Sequence, residues 1–528
     1  MQFDDITTNF GGYAPLKEDK MKKSIRLLSM LLVLVFAVSA LCACNDSDTE
    51  SSEVPGGGSV GDNETSYSYG PVDYGEFPYK GETYDGDPIR ILCVDTARHK
   101  YGVQQFTYIE ENEGNVINSA VQDRNNFLSE NYGIEFEVSP VQYPNETLEP
   151  LALSDIDEYD LICESVDRLV LGVTEDYYWS LDGIMDLSHP WWDAEAANAL
   201  SLSDKHYFLT GAALLTDDDN TYLTLFNKDM FNSNSTLASY GNIYDIVREG
   251  KFTVDLYYEM CKAVSQPDSN GEWSYNATYG NLSHAYGATV MMNGCGVATV
   301  AKNEQGELYL NVGSEYAITA FDKVYELMSD LQNTARAELV AGQSPNVQST
   351  YGFAELEELF VSKRGLFYNT TASSVSILKS VQRDFEFGVL PIPKYNAEQD
   401  DYHCTVNRYQ SSAIAIPSTV PAERLPELGF ALQALAFYNT DVIRAYYQTT
   451  LQLQAIYTDD DAEMLDIVYN SRFYDIGAIY GWGNVVSLYG NVIANSAANT
   501  LVSSWEAIES AVESAMNQAL EAYENSLT

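Results

Sequence analysis

Two short stretches set flat aromatic rings beside hydrogen-bonding groups: His189-Pro190-Trp191-Trp192-Asp193 and Ile479-Tyr480-Gly481-Trp482-Gly483-Asn484. An indole or phenol face packs on an apolar face of C–H groups, while a neighbouring carboxylate or amide takes hydroxyls at the edge of the same molecule. That is the chemistry of holding a sugar ring. Pro190 disfavours continued helix ahead of the first Trp pair, and the glycines flanking Trp482 leave its ring face uncrowded. The competing use of any such ring is core packing, and Trp179, Trp273 and Trp505 are assigned to it.

Motifs for bond-making chemistry are missing. The sequence holds no P-loop, no H-E-x-x-H and no Rossmann glycine pattern. Its G-x-S-x-G match, Gly57 to Gly61, has neither a preceding strand nor a following helix to form a nucleophile elbow. With 77 Asp and Glu, a search for an acid/base pair says nothing, because a pair can be found anywhere. Two carboxylates joined only by the fold would leave no mark, so a glycoside hydrolase stays open. Asp268-Ser269-Asn270-Gly271-Glu272 has the look of a calcium loop, but such a loop would start at Gln266 and end at Ala277, which lack the key carboxylates. It is read as a polar turn. The runs Asp217-Asp218-Asp219 and Asp459-Asp460-Asp461 are read as solvated loops. Neither a cofactor nor a metal is expected.

The charge balance narrows the partners further. With 28 Lys and Arg against 77 Asp and Glu, the formal charge is −49. A field of that sign repels a phosphate backbone, so nucleic acid is excluded as a partner. Hydrophobic residues at 45% and aromatics at 12% can fill a large core.

The elements that must carry these groups follow from the chain's start. Residues 21–43 have a basic opening (Lys22, Lys23, Arg26), an apolar stretch from Leu27, and small residues before a cysteine, which is the plan of a secretory signal. Residues 1–20 match no targeting pattern, and Met21 is read as the true start. Leu41-Cys42-Ala43-Cys44 resembles the bacterial lipobox, which implies cleavage before Cys44 and lipidation of its thiol. Residues 44–84 are rich in Ser, Gly, Asp and Glu and read as a flexible tether. Beyond it Ile89 to Val94 is a strand, Val116 to Leu128 a helix stopped by Gly133, and Ile134 to Val138 and Tyr159 to Cys163 are further strands. The order predicts parallel βαβ units. Cys93, Cys163, Cys261, Cys295 and Cys404 are read as single buried thiols.

Later phrases carry a family resemblance. Tyr222 to Lys228 ends in Phe-Asn-Lys, Gly250-Lys251-Phe252-Thr253-Val254-Asp255 opens a helix, and Phe387 to Tyr395 reads FGVLPIPKY. In that order, with Ser412 to Pro417 behind them and the lipobox ahead, they resemble the extracellular sugar-type solute-binding lipoproteins of bacterial ABC importers. Phe252 stands where that family often has Trp.

The resemblance implies a two-lobed α/β fold of the periplasmic-binding-protein type with a ligand cleft between the lobes. Lobe one would take 85–222 and 388–440, and lobe two 223–387 and 441–528. A C-terminal helix capped at Ser503 would carry Trp505, Ile508, Val512, Met516 and Leu520 on one face. Candidate ligand contacts are Trp191, Trp192, Asp193, Tyr480 and Trp482, joined by Tyr368, Asn369 and Arg408 near the lobe boundary. The implied partners are a saccharide, ABC permease subunits and, through the lipid, the outer face of a Gram-positive cytoplasmic membrane; the chain is expected to be a monomer without enzymatic activity. A non-sugar solute such as a peptide and a surface glycoside hydrolase are the alternatives. Cys44→Ser is expected to release the protein from the membrane with ligand affinity unchanged, and mass spectrometry of the mature N-terminus checks it: an unmodified Cys44 or cleavage elsewhere overturns the lipidation.

Overall fold

The computed structural model describes residues 73–528 except 304, 381–383, 449–457, 496 and 526–528. The expected signal, Cys44 and the expected tether as far as residue 72 lie outside the described residues. No helix among the described residues is long and apolar enough to cross a membrane.

Besides a small hairpin of Val300–Lys302 and Leu308–Leu310, the strands used below are β1 (Ile89–Val94), β2 (Phe136–Val141), β3 (Leu161–Ser165), β4 (Tyr222–Asn227), β5 (Tyr279–Ser283), β6 (Thr334–Arg336), β7 (Gly365–Thr371), β8 (Phe387–Leu390), β9 (Cys404–Thr405), β10 (Ser412–Ala415) and β11 (Arg472–Phe473). The helices used below are α1 (Val116–Tyr132), α2 (Val166–Val173), α3 (Ala194–Leu200), α4 (Thr216–Asp219), α5 (Leu425–Phe437), α6 (Thr440–Tyr446), α7 (Asp459–Asn470) and α8 (Ile476–Tyr480).

The first sheet has the order β10-β3-β1-β2, with β1 parallel to both neighbours and β10 antiparallel to β3. Strands β1 and β3 are buried on both faces, which is why they read as near-continuous apolar runs. Helix α1 makes the β1-to-β2 crossover. Its Asn115 cap accepts from the Ile117 and Asn118 amides, and it ends at Gly133, whose φ of +74° is a left-handed stop. The second sheet has the order β8-β4-β7-β5-β6, mixing parallel pairs at β5 with antiparallel pairs at β4.

Several expected boundaries move. Phe387–Leu390 does not return to the first lobe; it is the edge of the second sheet, antiparallel to β4, and Tyr222 already belongs to that sheet. Helix α6 stays on the first lobe, packed on α1. Residues 73–84 are no tether: Phe77 and Tyr84 are buried, and Phe77 packs against Tyr132, Phe430, Phe437 and Tyr438. Four aromatics in twelve residues give that stretch enough apolar surface to dock. Ser503 is not a helix cap; helices Leu501–Glu506 and Glu509–Asn525 break between them, and Trp505, Val512 and Met516 are buried. Asp268 closes the expected polar turn by accepting from the Asn270 and Glu272 amides. All five cysteines of the described residues are free and buried.

The chain passes between the sheets before β4, between β8 and β10, and after α6. The crossings are stitched to one another: Thr221 bridges to Val406, and β9 pairs in parallel with β11. At this junction Arg472 Nη1 lies 3.1 Å from Asp217 Oδ2 and 3.1 Å from Asp218 Oδ1, and its Nε is 3.6 Å from Asp193 Oδ2. Tyr474 donates to Asp193 at 3.0 Å, Thr210 to Asp217 at 2.9 Å and Tyr446 to Asp219 at 3.0 Å. Asp217 to Asp219 are therefore a buried helical turn rather than a solvated loop, because cationic and hydroxyl partners from distant segments converge on them. The second acidic run differs only at its end: it opens α7 with Asp459 exposed, and buried Asp461 takes Lys228 at 2.5 Å.

Burial first, and then the adjacent Asp218, push Asp217 up to about 7. An unfolded aspartate titrates near pH ~4. Between those values the native chain keeps a proton that the unfolded chain has lost. The contribution of Asp217 is thus full below about pH 4 and is lost as pH rises towards 7. Asp217→Asn removes this titration, so its melting temperature relative to the parent should rise steadily from pH 4 to 7. A constant difference across paired unfolding curves would show that Asp217 ionises normally.

Candidate functional site

In open α/β sheets, ligand groups gather beyond the carboxyl ends of the strands. Three strand ends here carry polar or aromatic side chains. After β1 comes Arg98, whose Nη1 lies 2.6 Å from Glu164 and whose Nη2 donates to Ser165 Oγ at 2.6 Å. Strand β3 itself ends in Glu164 and Ser165 and runs straight into α2, placing Asp167 in the first helical turn, where the positive end of the helix dipole favours a carboxylate. Arg98 and Arg168 both cover the half-buried Tyr143 ring, at 5.2 and 4.3 Å from its centroid. Burial raises Glu164 even though Arg98 opposes the shift.

The second lobe faces this set with an aromatic wall. After β5 come His284 and Tyr286, with near-parallel rings 6.0 Å apart. Tyr222 Oη lies 3.3 Å from His284 Nε2, and Phe353 meets the imidazole edge-on. Tyr409, from the segment that crosses between lobes, stands 6.1 Å from Tyr286. His284, Tyr286 and Tyr409 are half-buried. Burial lowers His284 to about 4, so it is neutral at pH 7, and burial raises the phenols of Tyr286 and Tyr409.

Arg408 joins the two halves. Its guanidinium lies 4.9 Å over Tyr409, its Nη2 is 3.7 Å from Asp167 Oδ2 of the first lobe, and its Nη1 donates to the Ala478 carbonyl in α8 of the second. Gly481 lies against the same guanidinium; a Cβ there would be 3.4 Å from Nη1. Two atoms of this junction are buried without a hydrogen-bond partner, Asp167 Oδ1 and Arg408 Nε. Buried polar groups are normally paired, and an unpaired one calls for an explanation.

The residues singled out from sequence fall into two groups. Arg408, Tyr480 and Trp482 are near one another at the contact between lobes, but the two rings are buried, 8% and 5% exposed: Trp482 stacks on Tyr480 at 4.9 Å, and Tyr480 Oη donates across to the Leu200 carbonyl at 3.0 Å and bonds Tyr523. Trp191, Trp192, Asp193, Tyr368 and Asn369 are elsewhere. The two indoles are core of the first lobe, 3% and 5% exposed, and both donate to Gln433 Oε1 of α5, at 2.6 and 2.9 Å. A buried indole N–H needs an acceptor, and Gln433 supplies one for both. Asp193 caps α3 and pairs with Arg472. Tyr368 and Asn369 lie in β7, which is buried throughout; Tyr368 packs on Phe360, and Asn369 donates to Tyr257 and Thr224. Asp167, His284, Tyr286 and Tyr409 were missed, although Asp167, His284 and Tyr286 follow apolar strand runs within a few residues, which is a usable signal.

Among the described residues no group of three or more His, Cys, Asp or Glu is placed to hold a metal ion. A separate hollow of about 620 Å³ on the first lobe, lined by Val116, Arg124, Phe127, Tyr438 and Arg444 among others, shares no residue with the strand-end set.

No family model and no curated protein matches the sequence. Among solved structures, a cyclo/maltodextrin-binding protein complexed with maltotetraose is similar at a TM-score of 0.51 and 14% identity, covering 84% of this chain and 98% of that one. UgpB from Mycobacterium tuberculosis in complex with glycerophosphocholine is similar at a TM-score of 0.50 and 12% identity, covering 82% of this chain and 99% of that one. The chain therefore has the two-lobed α/β fold of these binding proteins.

Proposed function

We propose that this chain is an extracellular receptor, anchored by a lipid on Cys44, that captures a sugar or oligosaccharide between its lobes and hands it to the permease of an ABC importer. The observation that carries the reading is the half-buried wall of Tyr286, Tyr409 and His284 beside the unpaired Asp167 Oδ1 and Arg408 Nε. Stacking faces and hydroxyl partners meet there, at strand ends of two sheets joined by a crossing segment. The similar structures hold maltotetraose and glycerophosphocholine, which fits capture of a small polar solute. Binding, with closure of the lobes as the output, requires no bond-making step. Arg408, Tyr480 and Trp482 border the site in this reading.

Thermal shift against a saccharide panel tests it. A ligand at 100 times its dissociation constant adds about 2.7 kcal/mol to the native state, so a clear rise in melting temperature is expected with at least one saccharide. Release of reducing ends would favour the hydrolase instead. Tyr286→Ala should weaken binding roughly ten- to hundredfold, the scale of one lost stacking face, with a smaller effect on stability. Trp191→Ala should do the opposite, costing about 3–5 kcal/mol of stability as a truncated core Trp. Calorimetric titration beside denaturant unfolding separates the two effects; full affinity in Tyr286→Ala removes that ring from the site.

A further inference from the structure

We propose that the cleft selects uncharged saccharides and rejects anionic ones, reading a sugar edge through Asp167 Oδ1 as acceptor and Arg408 Nε as donor; this rests on the binding reading above. The cations at the strand ends are all engaged by carboxylates. Arg98 is 2.6 Å from Glu164, Arg168 is 3.3 Å from Glu146, Arg408 is 3.7 Å from Asp167 and Arg336 is 3.5 Å from Glu338. A uronate or a sugar phosphate entering between the lobes meets those carboxylates and no uncompensated cation among these four. His284 supplies none either, since burial keeps it neutral at pH 7. At longer range the formal charge of −49 repels anions before contact.

Of the buried atoms without a hydrogen-bond partner, which also include Arg168 Nε and Arg336 Nε, Asp167 Oδ1 and Arg408 Nε belong to one ion pair at the contact between lobes and define what does fit there. One is a carboxylate oxygen that needs a donor, and the other is a guanidinium N–H that needs an acceptor. A hydroxyl can do either, so two adjacent hydroxyls on one ring satisfy both atoms at once without adding charge. A carboxylate or phosphate could answer Arg408 Nε, but it would leave Asp167 Oδ1 facing another acceptor. The pair lies where the first lobe's α2 meets the second lobe's α8, so parting of the lobes exposes it and closure buries the sugar edge against it.

The test uses the whole chain and named probes: maltotriose, cellotriose and xylotriose as the neutral series, with trigalacturonate and glucose 6-phosphate as the anionic one. Calorimetry should find at least one neutral probe that binds at least tenfold tighter than either anion. Asp167→Asn keeps the side-chain shape but uncovers the charge of Arg408. It should weaken the neutral ligand roughly ten- to hundredfold, as loss of a charged hydrogen-bond partner does, and should narrow the gap to trigalacturonate. A purely structural role for Asp167 would lower both affinities alike. An anion that binds the parent as tightly as the neutral series overturns the charge selection while leaving the receptor reading intact. Absence of binding by every saccharide of both series defeats both. An unchanged neutral-to-anionic ratio in Asp167→Asn removes Asp167 from the selection.

Discussion

The convergence of three carboxylates on Arg472 is the interaction on which the architecture depends. Two sheets with strands buried on both faces cannot merge, because each is already covered by its own helices. They can only be joined by chain that crosses between them, and crossing chain carries backbone and side-chain polar groups into a partly dry junction. Arg472 answers that requirement. It draws Asp193 from the cap of α3, and Asp217 and Asp218 from the turn ahead of β4, onto one strand of the junction. Removing a partner from such a cluster leaves a buried charge uncompensated, whereas the complete cluster fixes which segments lie side by side. The placement of β4, and with it the second sheet, follows from that registration.

A second consequence concerns where polar chemistry can survive. Helices and strand ends around the junction bury charges in pairs, Arg98 with Glu164 and Lys228 with Asp461. Asp167 Oδ1 and Arg408 Nε share their unpaired state with other buried groups, Asp217 Oδ1, Arg168 Nε and Arg336 Nε among them, but these two belong to one ion pair at the contact between lobes. Arg408 is also a side chain that touches an acidic group of the first lobe and a main-chain carbonyl of the second. It sits in the crossing segment, so a rotation of the lobes of the kind proposed above would change its position relative to both.

Much of the fold was legible in the sequence because it is locally encoded. β1 lies where its apolar run predicts, and α1 stops at Gly133 because the left-handed turn there suits glycine. Lobe boundaries were less legible, since whether Phe387–Leu390 joins one sheet or the other is decided by pairing with β4, over 160 residues earlier in the chain. The site was legible only in part. Trp191 and Trp192 have the right chemistry for stacking a ligand, yet Gln433, more than 200 residues later, gives both indoles an internal acceptor and makes core burial favourable. The acidic run at Asp217 was misleading for the same reason: its partner Arg472 is remote in sequence. Tyr286 and Asp167 left a faint trace, as polar or aromatic residues just past an apolar strand.

The charge of the molecule and the selectivity proposed for its cleft would follow from one constraint. A chain with −49 formal charge has few cations to spare, and each cation buried near the strand ends must be matched locally or pay the desolvation of an isolated ion. In the proposed cleft that matching would leave a capacity that is directional rather than electrostatic: aromatic faces, with the Asp167 carboxylate oxygen and the Arg408 N–H among the unpaired groups. Discrimination then comes from hydrogen-bond geometry, where a missing partner leaves a buried group unsatisfied, and that penalty separates related polar ligands more sharply than apolar contact can. Strong field outside and directional contacts inside act at different distances, and in the proposed cleft both work against an anion.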